Sequence, residues 1–113
     1  MESRISGSGN TWTASVWSGV PGIGWGYIKQ DFRATVSSGV ISSPSNLGSS
    51  YASGFTLGSW SPNYTTYTRS NSNKYLDIRM KGTYKYGIGD FAINYPATFL
   101  EMVQGSGSRL ISR

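Results

Sequence analysis

Histidine and cysteine are absent from this 113-residue chain, and only five residues are acidic. Without histidine, no imidazole can act as a base near neutral pH. Without cysteine, thiolate nucleophiles, Cys/His metal sites and disulfides are excluded. A small disulfide-stapled secreted scaffold is therefore ruled out, while the cytosol and a bacterial exterior both remain compatible. Long apolar runs are lacking too. No stretch approaches the ~20 apolar residues of a membrane helix. The segment Met1-Glu2-Ser3-Arg4-Ile5-Ser6-Gly7-Ser8-Gly9 has no apolar core that would mark a signal peptide.

What remains is rich in Gly, Ser, Thr, Tyr and Trp. The formal charge is +5, set by ten basic residues against five acidic ones. Part of that excess sits at the ends, in Arg4, Arg109 and Arg113. Such a mild excess fits weak attraction to acidic glycans, membranes or nucleic acid and demands none of them. The ends mirror each other: Ser6-Gly7-Ser8-Gly9 precedes the body and Gly105-Ser106-Gly107-Ser108 follows it. Their composition predicts flexible tails over residues 1–9 and 105–113, around a single domain over 10–104. A second reading lets Leu110-Ile111 pair with the sheet edge of another subunit.

Inside the body a period of two dominates. From Trp25 to Val36, the residues Ile28, Phe32, Ala34 and Val36 share one face with Gly26 and Gln30, while Trp25, Tyr27, Lys29, Asp31, Arg33 and Thr35 share the other. From Tyr75 to Ile88, the inward row is Leu76, Ile78, Met80, Tyr84, Tyr86 and Ile88, with a bulge expected at Gly82. A helix would scatter these apolar residues around its circumference. Weaker strands are expected at Thr11–Trp17 (Trp12, Ala14 and Val16 inward), Tyr51–Ser59 (Tyr51, Phe55 and Leu57 together), Tyr64–Arg69 and Phe91–Tyr95. Thr98–Val103 fits a strand or a single helical turn. Turn residues punctuate them, at Asn71-Ser72-Asn73 and Gly87–Asp90 above all. The pattern of about seven short strands predicts an all-β fold, a small antiparallel β-sandwich or barrel.

Motifs for chemistry are missing. There is no Gly-x-Ser-x-Gly elbow, no Ser-x-x-Lys and no phosphate-binding loop. The body holds four carboxylates: Asp31, Asp77, Asp90 and Glu101. Asp31 lies between Lys29 and Arg33, and Asp77 beside Arg79, so both are expected as ionised members of a charged solvent face rather than as proton donors. No enzymatic activity, cofactor or metal is expected.

The aromatics carry the functional expectation. Trp12, Phe32, Phe55, Tyr84, Tyr86 and Phe91 read as core. Trp17, Trp25, Tyr27, Trp60, Tyr64 and Tyr67 do not fit the inward rows, and beside Ser, Asn and Gly they would form a stacking platform. The alternative is a second sheet packed over them. Arg79, Lys81 and Lys85 form an outward basic row whose charge is weaker than nucleic-acid binding usually requires. Asn63-Tyr64-Thr65 matches a glycosylation sequon, a match common by chance. The segment Ile41–Lys74 reads as recognition loop with a single clean strand at best. Together these residues predict an extracellular or cell-surface binding module, with a glycan or a surface protein as partner. Two alternatives are a structural subunit of a filament, coat or virion that assembles through sheet edges or tails, and a secreted antimicrobial or membrane-active toxin.

Overall fold

A computed structural model of the chain describes residues 3–20, 24–54, 58–86 and 93–113. Among the described residues, eleven strands follow one another: β1 (Ser3–Ser8), β2 (Thr11–Val20), β3 (Gly24–Arg33), β4 (Val36–Ser37), β5 (Val40–Ile41), β6 (Ser45–Asn46), β7 (Tyr51–Ser53), β8 (Gly58–Ser70), β9 (Tyr75–Tyr86), β10 (Ile93–Ser106) and β11 (Arg109–Ser112). Among the described residues, no helix is long and apolar enough to cross a membrane.

The fold is a small, open antiparallel β-sandwich. One sheet has the order β1-β2-β3-β6, with β7 also pairing β3; the other has the order β11-β10-β9-β8. A short β4-β5 hairpin stands apart from both. The molecule is elongated, 52 × 21 × 21 Å. Alternation fills the space between the sheets. Trp12, Ala14 and Val16 of β2, Ile28 and Phe32 of β3, and Leu76, Ile78, Met80 and Tyr84 of β9 are all buried there. Phe99 and Val103 of β10 close the core from the same side as β9. The Trp12 indole is satisfied inside, donating Nε1–H to the Ala34 carbonyl at 2.9 Å.

Five expectations need correction. The tails are not flexible linkers. β1 pairs β2 from Ser3↔Val16 to Ser8↔Thr11, and β11 pairs β10 from Val103↔Ser112 to Ser106↔Arg109. Each Gly/Ser run continues a strand into a two-residue hairpin loop, Gly9-Asn10 and Gly107-Ser108. Gly9 (φ 65°) and Gly107 (φ 62°) take the first central position of each loop, where a positive φ suits the strand twist. Leu110 is buried and Ile5 packs on the core, so each tail supplies an apolar side chain.

Further along, Phe91–Tyr95 and Thr98–Val103 do not form two strands; the chain from Ile93 to Ser106 is one. Pro96 lies where β10 pairs β9 alone among the described residues, so one side of the strand carries no ladder there. The strand expected over Trp25–Val36 breaks after Arg33, before β4. The polar Ile41–Lys74 stretch holds a thirteen-residue strand, β8. Finally, the bulge expected at Gly82 lies on the facing strand, between Pro62 and Tyr64. Phe55, Leu57, Asp90, Phe91 and the Gly87–Asp90 turn lie outside the described residues, as do the side chain of Tyr86 and residue Ile88.

Candidate functional site

The outer face of the β1-β2-β3 sheet is built by the residues that alternate with the core. Because Val16 and Ile28 point inward, Trp17 and Tyr27 point outward, and they stand opposite each other in the register. Below them lies the row Arg4–Ser15–Lys29–Tyr51, which crosses four strands. The next row is Ser6–Thr13–Asp31. Cross-strand neighbours of this kind are the closest contacts a sheet face offers.

Polar contacts fix the positions of these side chains. Arg4 donates from Nη2 to the Tyr27 hydroxyl at 3.0 Å, and its Cζ lies 5.0 Å from the Tyr27 ring centroid. Lys29 Nζ lies 5.9 Å from the same centroid. Asp31 Oδ1 accepts from Thr13 Oγ1 at 2.6 Å and from the Tyr51 hydroxyl at 3.3 Å. The Tyr51 phenol is pushed above its ordinary pKa, first by partial burial and then by the Asp31 charge. Among the described residues Asp31 makes no ion pair. Lys29 and Arg33 stand beside it on the same strand, while its hydrogen bonds run to Thr13 and Tyr51 on other strands.

The six aromatics expected to form one platform occupy three places. Trp17 and Tyr27 share this outer face, both half-buried. Trp25 lies opposite Gly19 in β3, and its side chain lies outside the described residues. Tyr64 is exposed on the outer face of the second sheet, with Lys81 Nζ 5.4 Å from its ring centroid. Trp60 and Tyr67 turn inward. Trp60 packs edge-on against Tyr84 and Phe99, at 5.2 and 5.6 Å between centroids, and donates Nε1–H to Ser50 Oγ at 2.9 Å. Tyr67 packs on Phe32 at 5.5 Å and donates its hydroxyl to Asn46 Oδ1; burial pushes its pKa up.

Sequence reasoning misses two members of the face and places Lys29 on it only as surface charge. By composition Arg4 belongs to a tail, and by alternation Tyr51 groups with Phe55 and Leu57. Tyr51 is in fact 42% exposed and lies opposite Lys29. The polar–apolar alternation Arg4-Ile5-Ser6 is the available signal for β1.

Elsewhere, the basic row on the second sheet is partly occupied. Arg79 is 3.8 Å from Asp77, which also binds Arg113; Lys81 leans on Tyr64; Lys85 is exposed. Arg113 also covers the Tyr75 ring, 4.4 Å from its centroid. Glu101 is buried on β10 and accepts from Ser112 Oγ at 3.2 Å. Asp77 and Glu101 lie on opposite faces of this sheet, since Glu101 faces Ile78 across the ladder and Asp77 faces Met102.

No family model matches the chain, and no curated protein matches it. Among solved structures, it is similar to a hypothetical protein from Listeria monocytogenes EGD-e, at 15% identity and a TM-score of 0.35, over 96% of this chain and 69% of that one.

Proposed function

We propose that the chain is a non-enzymatic binding module of the cell exterior or surface, which holds carbohydrate or a surface component on the outer face of the β1-β2-β3 sheet. The observation that carries this reading is the cross-strand pair Trp17–Tyr27, flanked by Tyr51, on a face that no other strand covers among the described residues. Sugars present C–H faces and hydroxyls together. Such an aromatic row answers the first, and the surrounding Thr13 and Ser53 answer the second. The row is held rigidly by the ladder and by the Arg4–Tyr27 hydrogen bond, which reduces the ordering cost of binding. Affinity electrophoresis against a panel of polysaccharides tests it. Trp17→Ala and Tyr27→Ala are expected to abolish retardation while both variants still melt cooperatively. Retardation unchanged in both would overturn the reading.

One observation favours a second reading, a subunit that assembles through a sheet edge. β8 is thirteen residues long, and among the described residues its backbone is hydrogen-bonded by β9 alone. The run Tyr64-Thr65-Thr66-Tyr67-Thr68 is uncharged and β-prone, so it lacks the charges that usually blunt an edge. Sedimentation velocity decides this. Assembly that Thr66→Lys abolishes would support it, and a 12.3 kDa species at every concentration would exclude it.

A further inference from the structure

Resting on the carbohydrate reading of this face, we infer that the ligand is an anionic polysaccharide, whose acidic group is held between Arg4 and Lys29. Three observations converge on it. First, both cations belong to one cross-strand row, Arg4↔Ser15 and Ser15↔Lys29, the row next to Tyr27. Both lie within 6 Å of that ring's centroid, at 5.0 and 5.9 Å. Second, neither takes part in an ion pair among the described residues, although Asp31 stands one row away. That carboxylate is turned to Thr13 and Tyr51 instead. Third, the residue between the two cations is a serine. Ser15 is only 4% exposed although it belongs to the outer face, so the long side chains around it close over it.

Two like charges gathered on one neutral ring repel each other, and an anion between them removes that repulsion. The Arg4 guanidinium still has free donors beside the one spent on Tyr27, and Lys29 brings an ammonium. Together they suit a carboxylate or a sulfate ester, with Trp17 one row away to stack on the sugar that carries it. The +5 charge of the whole chain adds attraction at longer range.

Matched polymers that differ only in the acidic group test this. Polygalacturonate against its fully methyl-esterified form probes the carboxylate, and dextran sulfate against dextran probes the sulfate. Binding is measured by titration calorimetry at low and high salt. The expected result is binding to at least one acidic polymer and at least about tenfold weaker binding to its neutral counterpart, the scale of losing one charge-assisted hydrogen bond. Arg4→Gln and Lys29→Gln should each weaken that binding by a similar factor, with unchanged melting temperatures. Arg79→Gln and Lys85→Gln should leave it unaltered. Equal binding to acidic and neutral forms would overturn this inference and leave the carbohydrate reading standing. Loss of binding in Arg79→Gln or Lys85→Gln alone would also overturn it, by placing the anion on the other sheet. Binding to anionic vesicles but to no polysaccharide would overturn both.

Discussion

The indole of Trp60 fills the space where a side chain at Gly82 would stand. The two residues are near neighbours on facing strands, Trp60 opposite Tyr84 and Gly82 opposite Pro62. A Cβ on Gly82 would collide with Trp60 Cζ2, would lie 2.7 Å from Cη2, and would lie 2.6 Å from the Ser61 carbonyl. Glycine therefore does not interrupt the inward row of β9 as a flaw. It makes room for the largest ring of β8, which then reaches Tyr84 and Phe99 edge-on.

Gly82→Ala is accordingly expected to destabilise the protein by about 1–3 kcal/mol, the range for overpacking a filled core. Trp60→Ala should cost about 3 kcal/mol, the lower end for a tryptophan because the ring is only half-buried. The double variant should cost clearly less than the sum of the two, since removing the indole removes the collision. Urea melts of the three variants check this. Additive costs would mean that the two positions do not share the space.

The ends of the chain should prove structural. Removing residues 1–8 and 106–113 takes away β1 and β11, and with them Ile5 and Leu110. The expected loss exceeds about 3 kcal/mol, from the burial of two aliphatic side chains and the core they cover. Subtler variants separate turn chemistry from packing. Around Gly9 and Gly107 there is open space, with nothing within 4 Å of where a Cβ would stand, so alanine there clashes with nothing. Each Gly→Ala change should still cost about 1 kcal/mol, because the φ is positive. Gly→Asn should cost less. Thermal melts unaffected by the deletion would show that the hairpins contribute nothing.

The fold is legible in the sequence wherever alternation runs long. Phe32 and Ile78 sit in rows of four or more apolar residues at period two, and both are fully buried. Truncating either to alanine should cost about 2–5 kcal/mol, to be read from urea melts. β1 and β11 offer no such row: Ile5 is a single apolar residue between Arg4 and Ser6, and in β11 Leu110 and Ile111 are adjacent rather than alternating. Two or three positions cannot distinguish a strand from a linker of the same composition. The platform is half legible, for a different reason. The bulge between Pro62 and Tyr64 inserts Asn63 without a partner. Counting by two from the inward Trp60 puts Tyr64 inside and Tyr67 outside. The bulge reverses that parity, so Tyr67 joins Phe32 in the core and Tyr64 meets solvent. Nothing in Pro62-Asn63-Tyr64 announces the extra residue more strongly than in many proline-containing strands.

The buried Tyr67 gives stability a dependence on alkaline pH. In the unfolded chain its phenol titrates near its ordinary value of 10.0, whereas in the fold burial raises its pKa. Between those two values the unfolded chain has released the proton and the folded protein keeps it. The folded state then binds more protons, so stability falls as pH rises. Below the unfolded value the contribution is fully present and flat. Tyr67→Phe cannot titrate, so its stability should decline less steeply than that of the unaltered protein from about pH 10 upward. The two curves should run parallel below about pH 9, offset by the lost hydrogen bond to Asn46. Tyr51 is shifted in the same direction but is 42% exposed, so solvent screens much of the effect and Tyr51→Phe should change the slope less. Urea melts of the three proteins from pH 8 to pH 12 check this. Equal slopes for all three above pH 10 would show that the Tyr67 phenol ionises as readily in the fold as in the unfolded chain, and that its place against Phe32 is not desolvated.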